Sequence, residues 1–376
     1  MKDYTNFIAI IGAGISGLAL GIILQKKQIP CVIFEKSQKI GEHGAGISIS
    51  QNGLKVLKNL DLHNEFNLQS RQPHNAIFFS SNKKIKKISA NVTTSTRRTL
   101  FKSLLDKYHN LDGEIHFGNE VVDIEIENKT ITFKDGKSIS VKHIAACDGI
   151  KSSCQEIVSS KFNEPKYSGY YVWRTIFPSK QTNIHFHLGS NFHVVTYPVD
   201  KKRVSLVASI KSRNKQSESW KQEGSIQNLL SEIPQSITDN YPSIHNNYGV
   251  YKWGIFLRPN VKTLFDKNIS YLGDAAHPIV PFLGQGACLA LEDAFILGNL
   301  LHKHKNDLSL AQIKYKELRI KRIRSIYKKS LNQGKLNHFS NPFFVFLRNL
   351  LMKYTNIISI RTRSVWSYDV TEEKDL

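Results

Sequence analysis

A glycine-rich turn close to the start of the chain restricts the fold more than any other feature of the sequence. Residues 12–17 read GAGISG and follow the apolar run NFIAII at positions 6–11. A helix-like segment begins at this turn and ends before Pro30, and residues 31–35, CVIFE, predict a second strand. The order strand, glycine turn, helix, strand predicts a βαβ unit of a parallel sheet.

The glycines of this turn and the acidic residue that follows fit a dinucleotide-binding site. Gly12 permits the tight turn, Gly14 lets the backbone approach a pyrophosphate, and Gly17 lets the helix pack on the strand. The helix N-terminus offers N–H groups to the phosphates. Glu35 stands 18 residues after Gly17, where a carboxylate can bind the ribose hydroxyls. The motif fits both FAD and NAD, and a glycine turn with an ordinary surface glutamate is the less favoured alternative.

A second glycine turn lies near the other end of the chain. Residues 271–294 read YLGDAAHPIVPFLGQGACLALEDA, with Asp274 directly after a strand-like run. A buried carboxylate needs hydrogen-bond donors, and with FAD as the ligand Asp274 can accept them from ribityl or pyrophosphate-side groups. The side that faces the flavin ring would then consist of Pro281, Gly284, Gly286 and Ala287, whose helix start offers N–H groups. A buried helix cap would explain one glycine or one aspartate of this stretch, but not their combination.

Several further stretches carry a family resemblance. They are CDGIKSS at 147–153, YSGYYVWR at 167–174, RIKRIRSIYKKSLNQGKLNH at 319–338 and WSYD at 366–369. Together with the two glycine turns and residues 42–62, they resemble the single-component FAD-dependent aromatic-ring hydroxylases of the para-hydroxybenzoate hydroxylase fold. Within that group the chain is most similar to the branch of salicylate hydroxylase, 3-hydroxybenzoate 6-hydroxylase and 6-hydroxynicotinate 3-monooxygenase.

The resemblance implies a discontinuous α/β architecture: a Rossmann-like FAD-binding domain with an inserted antiparallel-sheet substrate domain and C-terminal helices. The strand-like runs at 184–188, 192–198 and 203–210 place the sheet-rich insert in the middle of the chain. We expect the FAD-binding domain to comprise 1–72, 97–165 and 265–330, the substrate domain 73–96 and 166–264, and the C-terminal helical segment 331–376.

The resemblance also assigns cofactor contacts. The residues implied to hold the ADP part of FAD are Gly12, Gly14, Ser16, Gly17, Glu35 and Lys36. Arg97 would reach FAD, Val122 would lie near the adenine, and Asp148 and Gly149 form the motif linked to both FAD and the reduced nicotinamide. Two residues depart from the family pattern: Gln155 stands where an arginine is usual, and Cys288 where an asparagine is common.

Candidates for the substrate side lie in the insert. His193 and Tyr197 are four residues apart in the strand-like FHVVTYP and therefore share a face. In the nicotinate-type relatives a histidine and a tyrosine with this spacing line the substrate pocket, so we expect these two residues and Pro281 to be catalytic. A satisfied strand histidine and a core tyrosine are the alternative. His43 could also face the substrate.

The function implied is that of a FAD-dependent, NAD(P)H-consuming monooxygenase. It would hydroxylate a small aromatic, salicylate-like or hydroxybenzoate-like, with O2 through a flavin C4a-hydroperoxide, and a base beside the substrate hydroxyl would help by forming a phenolate. Only one GxGxxG is present, so NADH or NADPH must bind transiently. Two alternatives remain: a larger polycyclic or quinone-type substrate, and a flavoprotein reductase or redox sensor that inserts no oxygen.

Composition restricts the other partners. The chain carries 52 lysines and arginines against 31 acidic residues, a net charge of +21. The lysines are dispersed and no aromatic-interleaved motif accompanies them, so a solvated basic surface is favoured over nucleic-acid binding. Four cysteines without CxxC spacing favour a reducing compartment. We expect a cytoplasmic monomer or homodimer without a metal, a structural disulfide or stable membrane insertion.

Overall fold

A computed structural model describes residues 2–38, 45–159, 163–218, 222–246, 248–259 and 261–376 of the chain. The strands are β1 Ile8–Ile11, β2 Cys31–Glu35, β3 Gly46–Ser50, β4 Asn75–Ser80, β5 Lys83–Ser89, β6 Val92–Thr96, β7 Glu114–Phe117, β8 Val121–Glu125, β9 Thr130–Phe133, β10 Ser138–Ser140, β11 His143–Ala146, β12 Lys166–Pro178, β13 Ile184–Gly189, β14 Phe192–Pro198, β15 Arg203–Lys211, β16 Glu223–Gly224, β17 Val250–Leu257, β18 Phe265–Asp266 and β19 Ile269–Tyr271. The helices are α1 Ile15–Lys26, α2 Gln51–Asn59, α3 His63–Leu68, α4 Arg97–His109, α5 Ser153–Val158, α6 Ile226–Glu232, α7 Gln235–Thr238, α8 Gly286–Lys303, α9 Leu308–Asn337, α10 Pro342–Tyr354 and α11 Ile357–Trp366.

The first layer is a six-stranded sheet in the order β18-β19-β11-β1-β2-β7. All of its pairings are parallel except the β18–β19 hairpin. Strand β1 is buried along its whole length, as expected for a parallel strand covered on both faces. The helices α1 and α8 pack on each other, so the segments that follow the two glycine turns belong to one core. The predicted Rossmann-like α/β class is confirmed.

Residues 139–144 read in the sequence as one β-like run after the hairpin turn Asp135-Gly136, but they do not form one strand. The chain forms two strands there: β10 pairs antiparallel with β9, and β11 joins the parallel sheet beside β1. The predicted hairpin turn is present, with Gly136 in the left-handed region at φ 84°. The division is explained by burial, since every residue of β11 is buried whereas β10 is mostly exposed.

The second layer is an eight-stranded sheet in the order β16-β17-β12-β15-β14-β13-β4-β5. Its pairings are antiparallel except for that of β13 with β4, which brings the early hairpin of β4 and β5 onto the edge of the insert. Strand β6 pairs with β3 and does not join this sheet. One face of the eight-stranded sheet lies opposite the two glycine turns.

The C-terminal part of the chain is helical, as expected. Helix α9 runs on to Asn337, beyond the expected boundary at 330, and α10 and α11 follow it.

Cys31, Cys147, Cys154 and Cys288 are all buried and form no disulfide. Among the described residues, no helix has the length and apolar character needed to cross a lipid bilayer.

Candidate functional site

One cavity of about 670 Å³ lies between the parallel sheet and the eight-stranded sheet. The two glycine turns, far apart in sequence, meet at its wall: Gly14 and Gly286 both line it. A Cβ placed on Gly273 would lie 3.1 Å from Ser16 Oγ and 3.4 Å from Ala290 Cβ, so the turns are in close contact. The predicted residues that line this cavity are Gly14, Ser16, Arg97, Gly149, His193, Tyr197, Asp274, Pro281, Gly284, Gly286 and Ala287.

The glycines of the first turn differ in what surrounds them. A Cβ on Gly17 would lie 2.0 Å from the carbonyl oxygen of Gly12, and a Cβ on Gly12 would lie 2.6 Å from that of Cys147. Both positions exclude a side chain because the backbone itself fills the space. At Gly14 a Cβ would have no atom of the described residues within 4 Å. Gly14 therefore leaves room on the cavity side for a ligand to approach the backbone, which is what a pyrophosphate requires.

The two helices that start at this cavity have unsatisfied N-termini. Helix α1 begins after Gly14 and α8 after Gln285, and neither receives a hydrogen bond from a capping side chain. Other helices of the described chain are capped, for example α4 by Thr96 and α9 by Asp307. Both helices start at the cavity wall, so their first-turn N–H groups can bind a ligand there, and the helix dipole makes both ends favourable for anionic or electron-rich groups. Gly284 (φ 63°) turns the chain into α8.

Glu35 and its neighbours lie outside the cavity wall. The Glu35 carboxylate accepts hydrogen bonds from the backbone N–H of Ala13 and of Ser37, each at 2.9 Å. It therefore bridges the glycine turn to the end of β2, where a ribose would lie. Lys36 is exposed, and Val122 is 48% exposed on β8. Their contacts to the ADP part of FAD stay predictions.

Asp274 projects into the cavity from the short 3-10 turn Gly273–Ala275. Its carboxylate is open to the cavity and enclosed by protein on its other sides, and this burial raises its pKa, although His277, Arg97 and Arg258 act in the opposite direction. Burial likewise lowers the pKa of Arg97 to about 10, so Arg97 remains a cation. A carboxylate and a guanidinium thus face the same space. The carboxylate can accept hydrogen bonds from a polar ligand, and the guanidinium can donate hydrogen bonds to it.

Asp148 caps the start of α5. Its Oδ2 accepts from the backbone N–H of Cys154 at 3.0 Å, while its buried Oδ1 has no hydrogen-bond partner in the described part of the chain. The Gln155 departure has a structural counterpart: Arg258 donates through Nη1 to the Gln155 side chain and through Nη2 to the Ile150 carbonyl at 2.5 Å. A guanidinium therefore reaches the position after the DG motif from β17, although residue 155 is uncharged.

The floor of the cavity is one face of the eight-stranded sheet. His193, Val195 and Tyr197 alternate along β14 and all line the cavity. In the next two strands Val195 pairs with Val207, and Val207 pairs with Arg174. His193 and Tyr197 thus share the face that the sequence predicted, opposite the glycine turns.

His193 is oriented by a residue that the sequence did not single out. Its Nδ1 lies 2.6 Å from Nε2 of His338 at the end of α9, and both rings pack against Phe282. The Nε2 of His193 is therefore the nitrogen available to a ligand in the cavity. Burial and the neighbouring His338 hold the pKa of His193 well below 6.5, so its ring is neutral at pH 7.

Arg174 is the second residue that the sequence did not single out. It lines the cavity from β12, its guanidinium lies 4.9 Å from the Trp253 ring centroid, and its buried Nε has no hydrogen-bond partner among the described residues. Burial lowers its pKa, and Tyr197 opposes the shift. A buried guanidinium donor without a partner is costly unless a ligand supplies an acceptor. The only sequence signal was its place in the family-like YSGYYVWR.

A buried ionic network supports the second glycine turn. Asp293 Oδ2 accepts from the backbone N–H of Gly273 at 3.0 Å and lies 2.5 Å from His277 Nε2, while its Oδ1 accepts from Arg319 Nε at 2.8 Å. Burial alone would raise the pKa of Asp293, but His277 and Arg319 lower it below its usual range. The neighbouring Glu292 carboxylate accepts hydrogen bonds from Nε and Nη2 of Arg322, each at 2.7 Å. His277 thus braces the loop that carries Asp274.

Other sequence candidates have structural partners of their own. His185 Nδ1 lies 3.1 Å from Tyr241 Oη, and His187 stacks on Phe79, so both belong to an aromatic cluster. No group of histidine, cysteine and acidic side chains among the described residues could hold a metal ion. Cys288 is buried, with its sulfur 3.5 Å from Ser50 Oγ. His43 lies outside the described residues.

Comparisons with known proteins identify the family of the chain. The family described as "FAD binding domain" matches residues 5–314. The chain is 27% identical over 398 residues to 3-hydroxybenzoate 6-hydroxylase of Klebsiella oxytoca, covering 98% of this chain and 97% of that protein. It is 25% identical over 409 residues to salicylate hydroxylase of Pseudomonas putida, with 96% and 92% covered. The structure of Klebsiella pneumoniae HpxO complexed with FAD and uric acid has the same fold, with a TM-score of 0.82 at 21% identity and 95% of each chain covered. The resemblance predicted from the sequence is confirmed.

Proposed function

The chain belongs to the FAD binding domain family of flavin-dependent monooxygenases, and from this premise we propose that it hydroxylates a small anionic aromatic at the expense of NAD(P)H and O2. The observation that carries the proposal is the single cavity that joins two uncapped helix starts to Arg174 and His193. Flavin and substrate can meet in such a space without a second binding domain.

The residues present fit FAD. Gly14 has open space where the pyrophosphate would pass, and Asp148 and Asp274 offer acceptors to its polar groups. Ser16, Gly17 and Glu35 would complete the ADP side, and the start of α8 at Gly286 and Ala287 would face the flavin ring beside Pro281. When bound, the flavin supplies hydride acceptance from the nicotinamide and the activation of O2.

The chain's own task is to bind and orient the aromatic ring. A carboxylate on the substrate would satisfy the unpaired Arg174 donor, and charge-assisted hydrogen bonds of this kind are roughly twice as strong as neutral ones. His193 Nε2, neutral at pH 7, would accept a hydrogen bond from the ring hydroxyl and so raise the electron density of the ring. The apolar wall of Val195, Val207 and Trp253 keeps water away from the reacting carbon.

The nicotinamide donor would bind transiently. The sequence contains a single GxGxxG, which the FAD would occupy. The donor therefore approaches from the surface, and reduction is separated in time from hydroxylation. The preference between NADH and NADPH follows from direct assay.

The test is NAD(P)H oxidation by the FAD-loaded protein with a panel of aromatic acids, in which hydroxylated product and hydrogen peroxide are both measured. Coupled formation of product from one acid supports the proposal. Turnover of the acid without incorporation of labelled oxygen would show a reductase in place of the proposed hydroxylase. As a residue-level test, His193→Ala should lower hydroxylation while FAD stays bound, and an unchanged rate would remove His193 from the catalytic set.

A larger substrate is the second candidate, and one observation favours it. The cavity continues past the glycine turns to Phe344, Leu347 and Leu351 of α10, which are apolar and extend the space beyond a single ring. A polycyclic or alkyl-substituted aromatic would fill this extension. Including alkyl-substituted hydroxyaromatics in the panel separates the two candidates, because the larger substrate would give the lower KM and the smaller peroxide yield.

A further inference from the structure

Helix α10 carries an exposed apolar surface. Five of its residues recur at helical spacing and are exposed, and we call them the α10 outer face: Phe343, Phe346, Leu347, Leu350 and Tyr354. Phe343 is 67% exposed and Tyr354 is 69% exposed. The adjoining Ile360 of α11 is 70% exposed. Contiguous exposed apolar surface of this kind marks an interaction site rather than a random surface residue.

The orientation of α10 is the reverse of that of an ordinary surface helix. Its arginine, Arg348, is buried and donates to the Leu336 carbonyl at 3.1 Å and to Ser80 Oγ at 3.2 Å. Asn349 accepts from the same guanidinium at 3.0 Å. Arg348 and Met352 thus face the protein, while Phe343, Phe346 and Tyr354 are mostly exposed. Packing against the described residues leaves these three side chains largely uncovered.

Two sequence segments that include α10 and the strand next to it are rich in basic residues. The sequence has no acidic residue from 318 to 368, where it carries eleven lysines and arginines, and none from 66 to 105, where it carries eight. These two segments are neighbours: Lys86 of β5 donates to the carbonyls of Lys353 and Thr355 at the end of α10. Lys83, Lys84 and Lys87 belong to the same strand β5 and are exposed. Lysines of β5 and Lys353 of α10 therefore lie close to the apolar face.

We propose that the α10 outer face binds the surface of an anionic membrane. The aromatic and leucine side chains would enter the boundary between headgroups and acyl chains, and the lysines would contact anionic headgroups. The helix lies on the bilayer and does not cross it. A second copy of this chain is the less suitable cover, because a symmetric contact would bring two basic surroundings together.

The cavity extends to α10. Leu347 belongs to the outer face and also lines the cavity, as do the neighbouring Phe344 and Leu351. Aromatic molecules dissolved in the lipid would then reach the cavity directly, a consequence that rests on the proposed function. Membrane binding itself does not depend on any turnover, so the two can be tested apart.

The experiment is flotation of the FAD-loaded full-length protein with vesicles of phosphatidylcholine alone or mixed with phosphatidylglycerol. We expect co-flotation with the anionic vesicles only, and a loss of at least about tenfold in bound protein for the Phe343→Ser/Phe346→Ser variant, as two buried rings are removed. Leu68→Ser is the matched control, since Leu68 is 88% exposed on α3, outside this face, and it should float like the wild type. The Lys84→Glu/Lys87→Glu variant should bind the anionic vesicles more weakly than the wild type. The binding that remains should depend less on the salt concentration.

Retained FAD and an unchanged circular dichroism spectrum show that each variant is folded. The proposal is overturned when the wild type stays in the unbound fraction with both vesicles, or when the double serine variant floats as well as the wild type. A dimer in solution that the same serine variant dissociates would assign the face to a second copy instead.

Discussion

The substitution Gly14→Ala separates cofactor binding from folding. A Cβ at this position has no atom of the described residues within 4 Å, and the backbone φ of −77° is one that alanine adopts readily. Alanine is a poorer N-cap than glycine, but it also restricts the unfolded chain, so the free energy of unfolding should change by about 1 kcal/mol or less. The new methyl group would instead occupy the space through which the pyrophosphate approaches the helix start.

The loss of affinity for FAD follows from the contacts that the methyl group blocks. Two hydrogen bonds from first-turn N–H groups to a charged phosphate are worth about 1.5–3 kcal/mol each. Their loss predicts that the Kd for FAD rises at least about 100-fold. The assay is a fluorescence titration of the apoprotein with FAD, run beside urea denaturation of the same sample.

Two glycines serve as controls for this prediction. Gly17→Ala places a Cβ 2.0 Å from the Gly12 carbonyl oxygen, so this variant should lose about 3 kcal/mol of unfolding free energy. Gly249→Ala lies on a loop outside the cavity, where the nearest atom is 3.5 Å away, and should leave both quantities unchanged. Wild-type FAD affinity in Gly14→Ala, or unfolding of that variant, would refute the reasoning about the open side of the turn.

Three further predictions concern the substrate side and stability. Arg174→Gln should raise the KM of the aromatic acid about 10- to 100-fold, as one charge-assisted contact worth about 1.5–3 kcal/mol is lost; a loss of FAD affinity in place of the KM effect would move Arg174 to the cofactor. His338→Phe should lower kcat about tenfold and shift the pH–rate profile, because His193 loses its orienting hydrogen bond. His338→Gln should retain most of the activity. An unshifted pH–rate profile in the phenylalanine variant would count against this role of His338. Burial lowers the pKa of His143 to about 3 and that of His187 to about 4, so the unfolded chain binds protons that the folded chain does not. Their stabilisation is complete above pH 6.5 and is lost as the pH falls, by about 2 kcal/mol for each histidine at pH 5; equal urea stability at pH 7 and pH 5 would contradict this.

The sequence predicted the features whose signals are local. The first βαβ unit, the strand β14 with His193 and Tyr197, and the turn at Gly136 follow from periodicity and glycine placement within a few residues. The separation of β10 from β11 was missed, because an alternating run does not state which neighbour each strand will pair with.

The missed site residues depend on distant contacts. His338 reaches His193 across 145 positions, and Arg174 becomes notable only because the folded sheet leaves its buried Nε without a partner in the described part of the chain. The outward orientation of α10 was missed for the same reason: the run Phe339–Leu347 reads as an ordinary apolar segment until Arg348 is seen to bond inward to Ser80. Ion pairs such as Asp293 with Arg319 likewise have no local pattern.

The central claim is that flavin and aromatic substrate share the cavity between the two glycine turns and the sheet face. The most direct test is a visible-absorbance titration of the FAD-loaded protein with hydroxybenzoates and salicylate. We expect the apoprotein to take up equimolar FAD and a bound aromatic acid to shift the flavin spectrum, an effect weakened in Arg174→Gln. A protein that takes up no FAD, or one that binds the acid while the flavin spectrum stays unchanged, would contradict it.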